Sequence, residues 1–238
     1  MPSSSRRRRR RRSRKDPPPA APLHEHETTT RNWAALPRDV QWALFSRLPQ
    51  ADILRGAGLA CASWRRTAVD EPLLWRHINI ASQEDDEAKD VPARRMAMAR
   101  AAVDRAGGGC ESYRGPADPS FLAYLAARSP SLRGLEVTSR LYLPDSFVGK
   151  VIAKLPMLER LVLRRGLVVK ATLRALMEHC PRLELLHAGG CYMMEAMGSR
   201  MRARLETTIK DLALPPLSGG GCSFCSARAT RIAEEEDD

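Results

Sequence analysis

Aromatic residues are scarce: four Phe, four Trp and four Tyr make up 5% of 238 residues. None stands inside the arginine run near the N-terminus, so that run has no stacking surface with which to read bases. Long apolar runs are missing too. None approaches the roughly 18 residues that a membrane-spanning helix needs, which excludes such a helix and any membrane partner through it. The first fifteen residues hold no acidic side chain, and no apolar core follows their arginines, so no secretory leader is expected. Without an oxidising route the six cysteines read as reduced thiols, not as three disulfides. They stand at positions 61, 110, 180, 191, 222 and 225, too dispersed for a zinc module of eight closely spaced ligands.

What is present is unevenly placed. The net charge of +11 comes from 39 basic and 28 acidic residues. Nine of the basic ones, Arg6 to Arg12 with Arg14 and Lys15, precede the first acidic residue, and Glu234 to Asp238 close the chain with acids alone. The body between is close to neutral, so partner inference from charge belongs to the arm and not to the fold. Residues 1–30 add Pro17, Pro18, Pro19 and Pro22 to the arginines and offer no apolar face to bury. They are expected to form a disordered arm.

Helical patterning starts after Trp33. Pro37 suits a first helical position, and Val40, Ala43, Leu44 and Leu48 keep helical spacing until Pro49. A second helix is predicted over Ala51–Cys61 with Ile53, Leu54, Ala57 and Cys61 on one face, weakened by Gly56 and Gly58. A third holds Trp64 and Ala68 and ends before Pro72. Leu73, Leu74, Trp75 and a strand-like His77–Ile80 close this unit, taken as residues 31–80.

Past the acidic stretch Glu84–Glu87 a repeat emerges. The pattern L-x-x-L-x-L runs through Leu132, Leu135, Val137; Leu158, Leu161, Leu163; Leu183, Leu186, Ala188; and Ile209, Leu212, Leu214. Pro130, Pro156 and Pro181 precede the first three copies. Leu122, Leu125, Ser129 align with Val148, Val151, Leu155 and with Leu173, Leu176, Cys180; Met201 and Leu205 take those places in the fourth, slipped by one residue. A unit of 25–26 residues that supplies one short strand and one helix cannot bury its apolar face alone. Units must stack, with strands side by side and helices behind. An eroded unit precedes them, with Met96, Ala99 and Val103 on a helix and a poor strand around Cys110–Tyr113. The fold expected is therefore α/β: a three-helix unit, then a short solenoid of about five units over 81–217, with parallel strands on the concave face and helices on the convex one, and an acidic tail over 218–238.

The first unit carries Leu36-Pro37-Arg38-Asp39-Val40, Leu48-Pro49, Asp52-Ile53-Leu54, Ala60-Cys61, Trp64-Arg65 and Glu71-Pro72-Leu73-Leu74-Trp75. Together with Cys180-Pro181-Arg182-Leu183 and its counterparts at the repeat boundaries, this stretch resembles the plant F-box/leucine-rich-repeat proteins. The resemblance implies a non-catalytic substrate-recognition adaptor. Such a protein docks its F-box on a Skp-type adaptor within a cullin–RING ubiquitin ligase, while the repeats hold a protein substrate.

Site expectations follow. Leu36, Pro37, Val40, Leu44, Leu48, Ile53 and Leu54 are the candidate adaptor contacts, with Leu36 and Pro37 foremost. Residues between the inward leucines should line the concave face: Glu136 and Thr138, Arg160, Val162 and Arg164, Leu185 and His187. No catalytic set, metal site or cofactor is expected. His179-Cys180 looks like a nucleophile pair, yet the repeat register sends Cys180 into the core. Cys222 and Cys225 form a lone C-x-x-C without a second pair. His24 to Glu27 lie in the arm and read as solvated. Arg6–Arg12 could serve nuclear import or non-specific nucleic-acid binding, placing the protein in nucleus or cytoplasm. A repeat scaffold without ligase docking remains the other class of function, given Gly56 and Gly58.

Overall fold

The computed structural model describes residues 32–82, 93–142, 145–193 and 197–215. The arginine arm, His24 to Glu27, the Glu84–Glu87 stretch, Cys222, Cys225, the acidic tail and the side chain of Val148 lie outside the described residues.

Three helices open the described chain: α1 over Arg38–Phe45, α2 over Gln50–Arg55 and α3 over Ala62–Asp70. Pro37 stands just outside α1 as its N-cap, and the Gln41 N–H bonds its carbonyl at 3.0 Å. Pro49 caps α2 in the same way, accepting from Asp52 and Ile53. The second helix is shorter than the predicted Ala51–Cys61. It ends at Arg55, and a 3-10 turn over Ala57–Leu59 follows. Gly58 explains the break. A β-carbon there would meet the Ile53 carbonyl oxygen at 2.7 Å and Ala68 Cβ at 3.1 Å, so its bare backbone lets α3 close on α2. Cys61 leaves the helical face and caps α3 instead.

The strand after this unit, β1 over His77–Asn79, is not a local closure but the first strand of the repeat sheet. From there α4 (Ala93–Arg105), β2 (Ser112–Gly115), α5 (Pro119–Arg128), β3 (Gly134–Tyr142), α6 (Asp145–Ile152) and β4 (Arg160–Leu167) follow. They are succeeded by α7 (Lys170–His179), β5 (Leu185–His187), β6 (Cys191–Tyr192), α8 (Ser199–Thr208) and β7 (Asp211–Ala213). All pairings are parallel, in the order β1-β2-β3-β4-β5-β7, with β6 beside the second half of β4. One rung runs Ile78, Tyr113, Leu135, Leu161, Leu186, Leu212. The last four are offset by 26, 25 and 26 residues, so the repeat in the sequence is the register of the sheet.

Helix positions obey the same frame. Leu122, Leu125 and Ser129, then Val151 and Leu155, then Leu173, Leu176 and Cys180, and finally Leu205 are buried. Each fully buried leucine contributes about 2 kcal/mol of transfer free energy. The apolar interior is continuous from Phe45 and Ile53 in the helices to Ile209 under the last strand. Trp75 joins the two parts: it is fully buried, its Nε1 donates to the Ala68 carbonyl at 2.9 Å, and the Arg105 guanidinium lies over its ring.

The outer edge of β1 is occupied. In a parallel strand, alternate residues turn their N–H and C=O outward, here His77 and Asn79. The Gln50 amide meets both, with Nε2 donating to the His77 carbonyl (2.9 Å) and Oε1 accepting from the Asn79 N–H (2.5 Å).

Candidate functional site

Two surfaces carry the candidate residues. The first surrounds α1, which is too short to be buried all round and shows three stripes. Gln41 and Phe45 face inward, each about 1% exposed. Val40 (39% exposed) and the half-buried Leu44 form one flank, and Trp42 (38%) lies on the other.

The Val40 flank is held in place by a buried polar group. Gln41 Nε2 donates to the Leu36 carbonyl (2.7 Å) and to Ser63 Oγ (2.8 Å), while its Oε1 accepts from Thr67 Oγ1 (2.7 Å). Such a satisfied side-chain network fixes geometry. It pins the half-buried Leu36 and the exposed Pro37 at the start of α1, alongside Val40 and Leu44. Trp64 Nε1 donates to the Trp33 carbonyl at 2.9 Å, and its ring meets Phe45 edge-on at 5.4 Å, so Trp64 is structural.

Three of the expected contacts part from this set. Ile53 is 1% exposed because α2 turns it into the apolar interior beside Gly58, so it is a core residue and no surface contact. Leu48 is 38% exposed but lies beyond the end of α1, on the Trp42 side. Leu54 is half-buried against the core. Leu48, Trp42 and Leu73 line an open groove of about 510 Å³ that reaches His77 and Asn79. Trp42 and Leu73 were not among the expected sites, although Leu73 is 66% exposed. A helical wheel over 38–45, which puts Trp42 opposite Val40 across the inward stripe, is the signal that finds the first of them.

The second surface is the open face of the sheet. Glu136 and Val162, Arg160 and Arg164, Leu185 and His187 reach this face half-buried or exposed, as the alternation requires. Thr138 does not. The register shifts between Val137 and Arg140, and the bulge turns Thr138 and Ser139 inward, 4% and 2% exposed. Ser139 Oγ then accepts from the Ala117 N–H and donates to the Ala117 carbonyl, both at 2.9 Å.

Charge on this face is arranged across strands. Glu136 on β3 accepts from Arg164 on β4 (2.7 Å) and Arg114 on β2 (3.2 Å). His187 Nε2 lies 2.7 Å from Asp211 Oδ1. One residue ahead of the strands a second row pairs Arg76 with Glu111, Arg133 with Glu159 and Lys210 with Glu184, at 2.7–2.8 Å. The hydrogen bond from Arg76 holds the Glu111 carboxyl below the ordinary range. Exposed pairs of this kind contribute little stability. Arg160 has no acidic partner among the described residues. A shallow concavity of about 320 Å³ opens across β1 to β4, floored at Gly134 and Val162.

The three buried thiols are inert. Burial pushes Cys110 and Cys180 up to about 11 and Cys191 up to about 12, which keeps them protonated and unreactive at neutral pH. Cys180 sits in the core where the repeat register put it, turned away from a partnership with His179. Among the described residues no cluster of His, Cys, Asp and Glu is arranged to hold a metal ion.

The F-box-like family profile matches residues 33–81, which spans the helical unit and β1. The chain is similar to several proteins of Arabidopsis thaliana, three of which follow. F-box/LRR-repeat protein 23 is 34% identical over 160 residues, covering 66% of this chain and 34% of that protein. F-box/LRR-repeat protein 22 is 31% identical over 180 residues, 71% of this chain and 55% of that one. F-box/LRR-repeat protein 9 is 32% identical over 160 residues, 66% and 65% respectively. The chain thus spans between a third and two thirds of the length of these relatives. The matched residues take in both the helical unit and the strand–helix repeats stacked on it: the chain carries an F-box-like unit and is similar beyond it to plant F-box/leucine-rich-repeat proteins.

Proposed function

We propose that the chain is a non-catalytic substrate-recognition subunit of a Skp–cullin–F-box ubiquitin ligase. The helical unit docks a Skp-type adaptor and the open face of the sheet holds the protein to be modified. The observation that carries this reading is the apolar flank of exposed Pro37 and Val40 with half-buried Leu36 and Leu44, held in shape by the hydrogen bonds of Gln41 beneath it. An apolar helix flank preorganised in this way suits a groove on a partner.

The test is the double substitution Leu36→Ala with Pro37→Ala. Each truncation is expected to cost about 1–2 kcal/mol at the interface, so adaptor affinity should fall by more than tenfold. Circular dichroism should be unchanged, because neither side chain is in the core. Co-purification with a Skp-type adaptor at wild-type yield would remove the docking assignment and leave a repeat scaffold.

The arm supports a separate reading. Seven consecutive arginines, Arg6 to Arg12, form a run of the kind that serves nuclear import, and they also attract phosphates without reading sequence. We place the protein in the nucleus as well as the cytoplasm on that basis. Fusing residues 1–30 to a fluorescent reporter should shift it into the nucleus; an unchanged distribution excludes the import role.

A further inference from the structure

We propose that the groove running from Trp42 and Leu73 to Arg160 takes an extended, carboxylate-rich peptide segment carrying one bulky apolar side chain. The inference rests on the reading of the sheet as the part that holds a substrate, and it names the chemistry of the segment held.

Two observations fix the occupant. First, the apolar groove under α1 and the concavity across β1 to β4 share His77 and Asn79 in their linings, so they are adjoining stretches of one surface. Second, their chemistry differs from end to end. The α1 end exposes Trp42, Leu48 and Leu73. The sheet end is lined by Arg114 and Arg160 and by one carboxylate, that of Glu136, which already serves Arg114 and, from outside the lining, Arg164. Arg160 is left for a carboxylate from outside, and its strand neighbour across the register is Gly134, whose missing side chain leaves a notch beside it. Charge complementarity of this kind steers and selects an acidic partner.

Length follows from sheet geometry. Three strand spacings separate β1 from β4, about 14 Å, which an extended chain covers in four to five residues. The apolar residue and the acidic run should stand at least that far apart, since Trp42 and Leu73 lie beyond β1. The groove lies on the Trp42 flank of α1 and the proposed adaptor contacts on the Val40 flank, with the buried Gln41 and Phe45 between them, so both can be filled at once.

The probe is a labelled synthetic peptide of one phenylalanine, four glycine–serine spacer residues and four glutamates, titrated into the purified full chain at about 150 mM salt. Arg160→Glu should weaken binding about tenfold, and Leu73→Ser about fivefold. A peptide without the phenylalanine should keep its sensitivity to Arg160→Glu and lose that to Leu73→Ser. The arginine arm attracts glutamates as well, but equally in every variant. Equal affinity for wild type and both variants overturns the assignment. Binding that appears only after residues 216–238 are deleted also overturns it, since the groove would then belong to the chain's own acidic C-terminus. Adaptor co-purification is read on the same samples. Its loss in Leu73→Ser would hand the groove to the adaptor and sink the proposal, whereas a wild type that never captures adaptor yet shows the peptide pattern would sink the ligase reading and leave the groove assignment standing.

Discussion

Trp75→Ala should unfold the helical unit and the repeat sheet in one step, at a temperature far below that of the wild type. The ring is fully buried between α3, α4 and the turn that leads into β1. Truncating a buried tryptophan typically costs about 3–5 kcal/mol, through lost transfer free energy and the cavity left behind. The Ala68 carbonyl also loses its donor. For a domain of this size each kcal/mol lowers the midpoint by about 2–4 °C, so a drop on the order of 10 °C is expected. Trp75→Phe should cost much less, since it keeps most of the volume and gives up the hydrogen bond. Thermal melts followed by far-UV and by near-UV circular dichroism should coincide. Two separated transitions, with only the earlier one moved by Trp75→Ala, would show that the two parts have independent cores.

Gly166→Ala should be nearly as damaging, by a different route. Gly166 sits in β4 at φ +133°, a backbone conformation that L side chains rarely adopt. A β-carbon there would fall 1.9 Å from the Leu141 carbonyl oxygen, which cannot move without breaking the β3–β4 ladder. Strain and collision together should cost at least about 3 kcal/mol. The damage should concentrate in the second ladder, where Arg140–Tyr142, Arg165–Leu167 and Cys191–Tyr192 pair, and hydrogen exchange there should accelerate first. Gly149→Ala is the control. It lies in α6 with open space around its would-be β-carbon, and should leave stability unchanged or raise it by up to about 1 kcal/mol. Equal melting of the two variants would mean that the close approach at Gly166 is not real.

Leu135, Leu161, Leu186 and Leu212 could be aligned from spacing alone, because a parallel ladder pairs residues at the repeat interval and nothing else need be known. Cys180 could be sent to the core by the same register. Thr138 could not be placed, because a bulge is settled by the strands on either side and leaves no mark in its own strand. His77–Ile80 read as a local strand, since only Ile78 and Ile80 are apolar and no repeat precedes them; its place in the sheet depends on pairing with Ser112–Arg114 far along the chain. Ile53, expected at the surface, is covered, and Trp42, absent from the expected contacts, is exposed, for one reason. On a short helix the apolar residues outnumber the inward positions, and which of them is covered depends on the elements packed against that helix, α3 for α1 and α4 with β1 for α2. Gly58 looked like a weak point in a helix and is instead the place where two helices touch.

The Gln50 amide makes the sheet asymmetric as a template. A strand edge offers alternating donors and acceptors that can recruit any passing extended chain, and many proteins blunt such edges with charge or proline. Here a single side chain impersonates one residue of an absent neighbour, presenting its own donor to His77 and its acceptor to Asn79. The stack of strands therefore has a sealed end beside the helical unit, and recruitment of a foreign strand there would first require evicting the impostor.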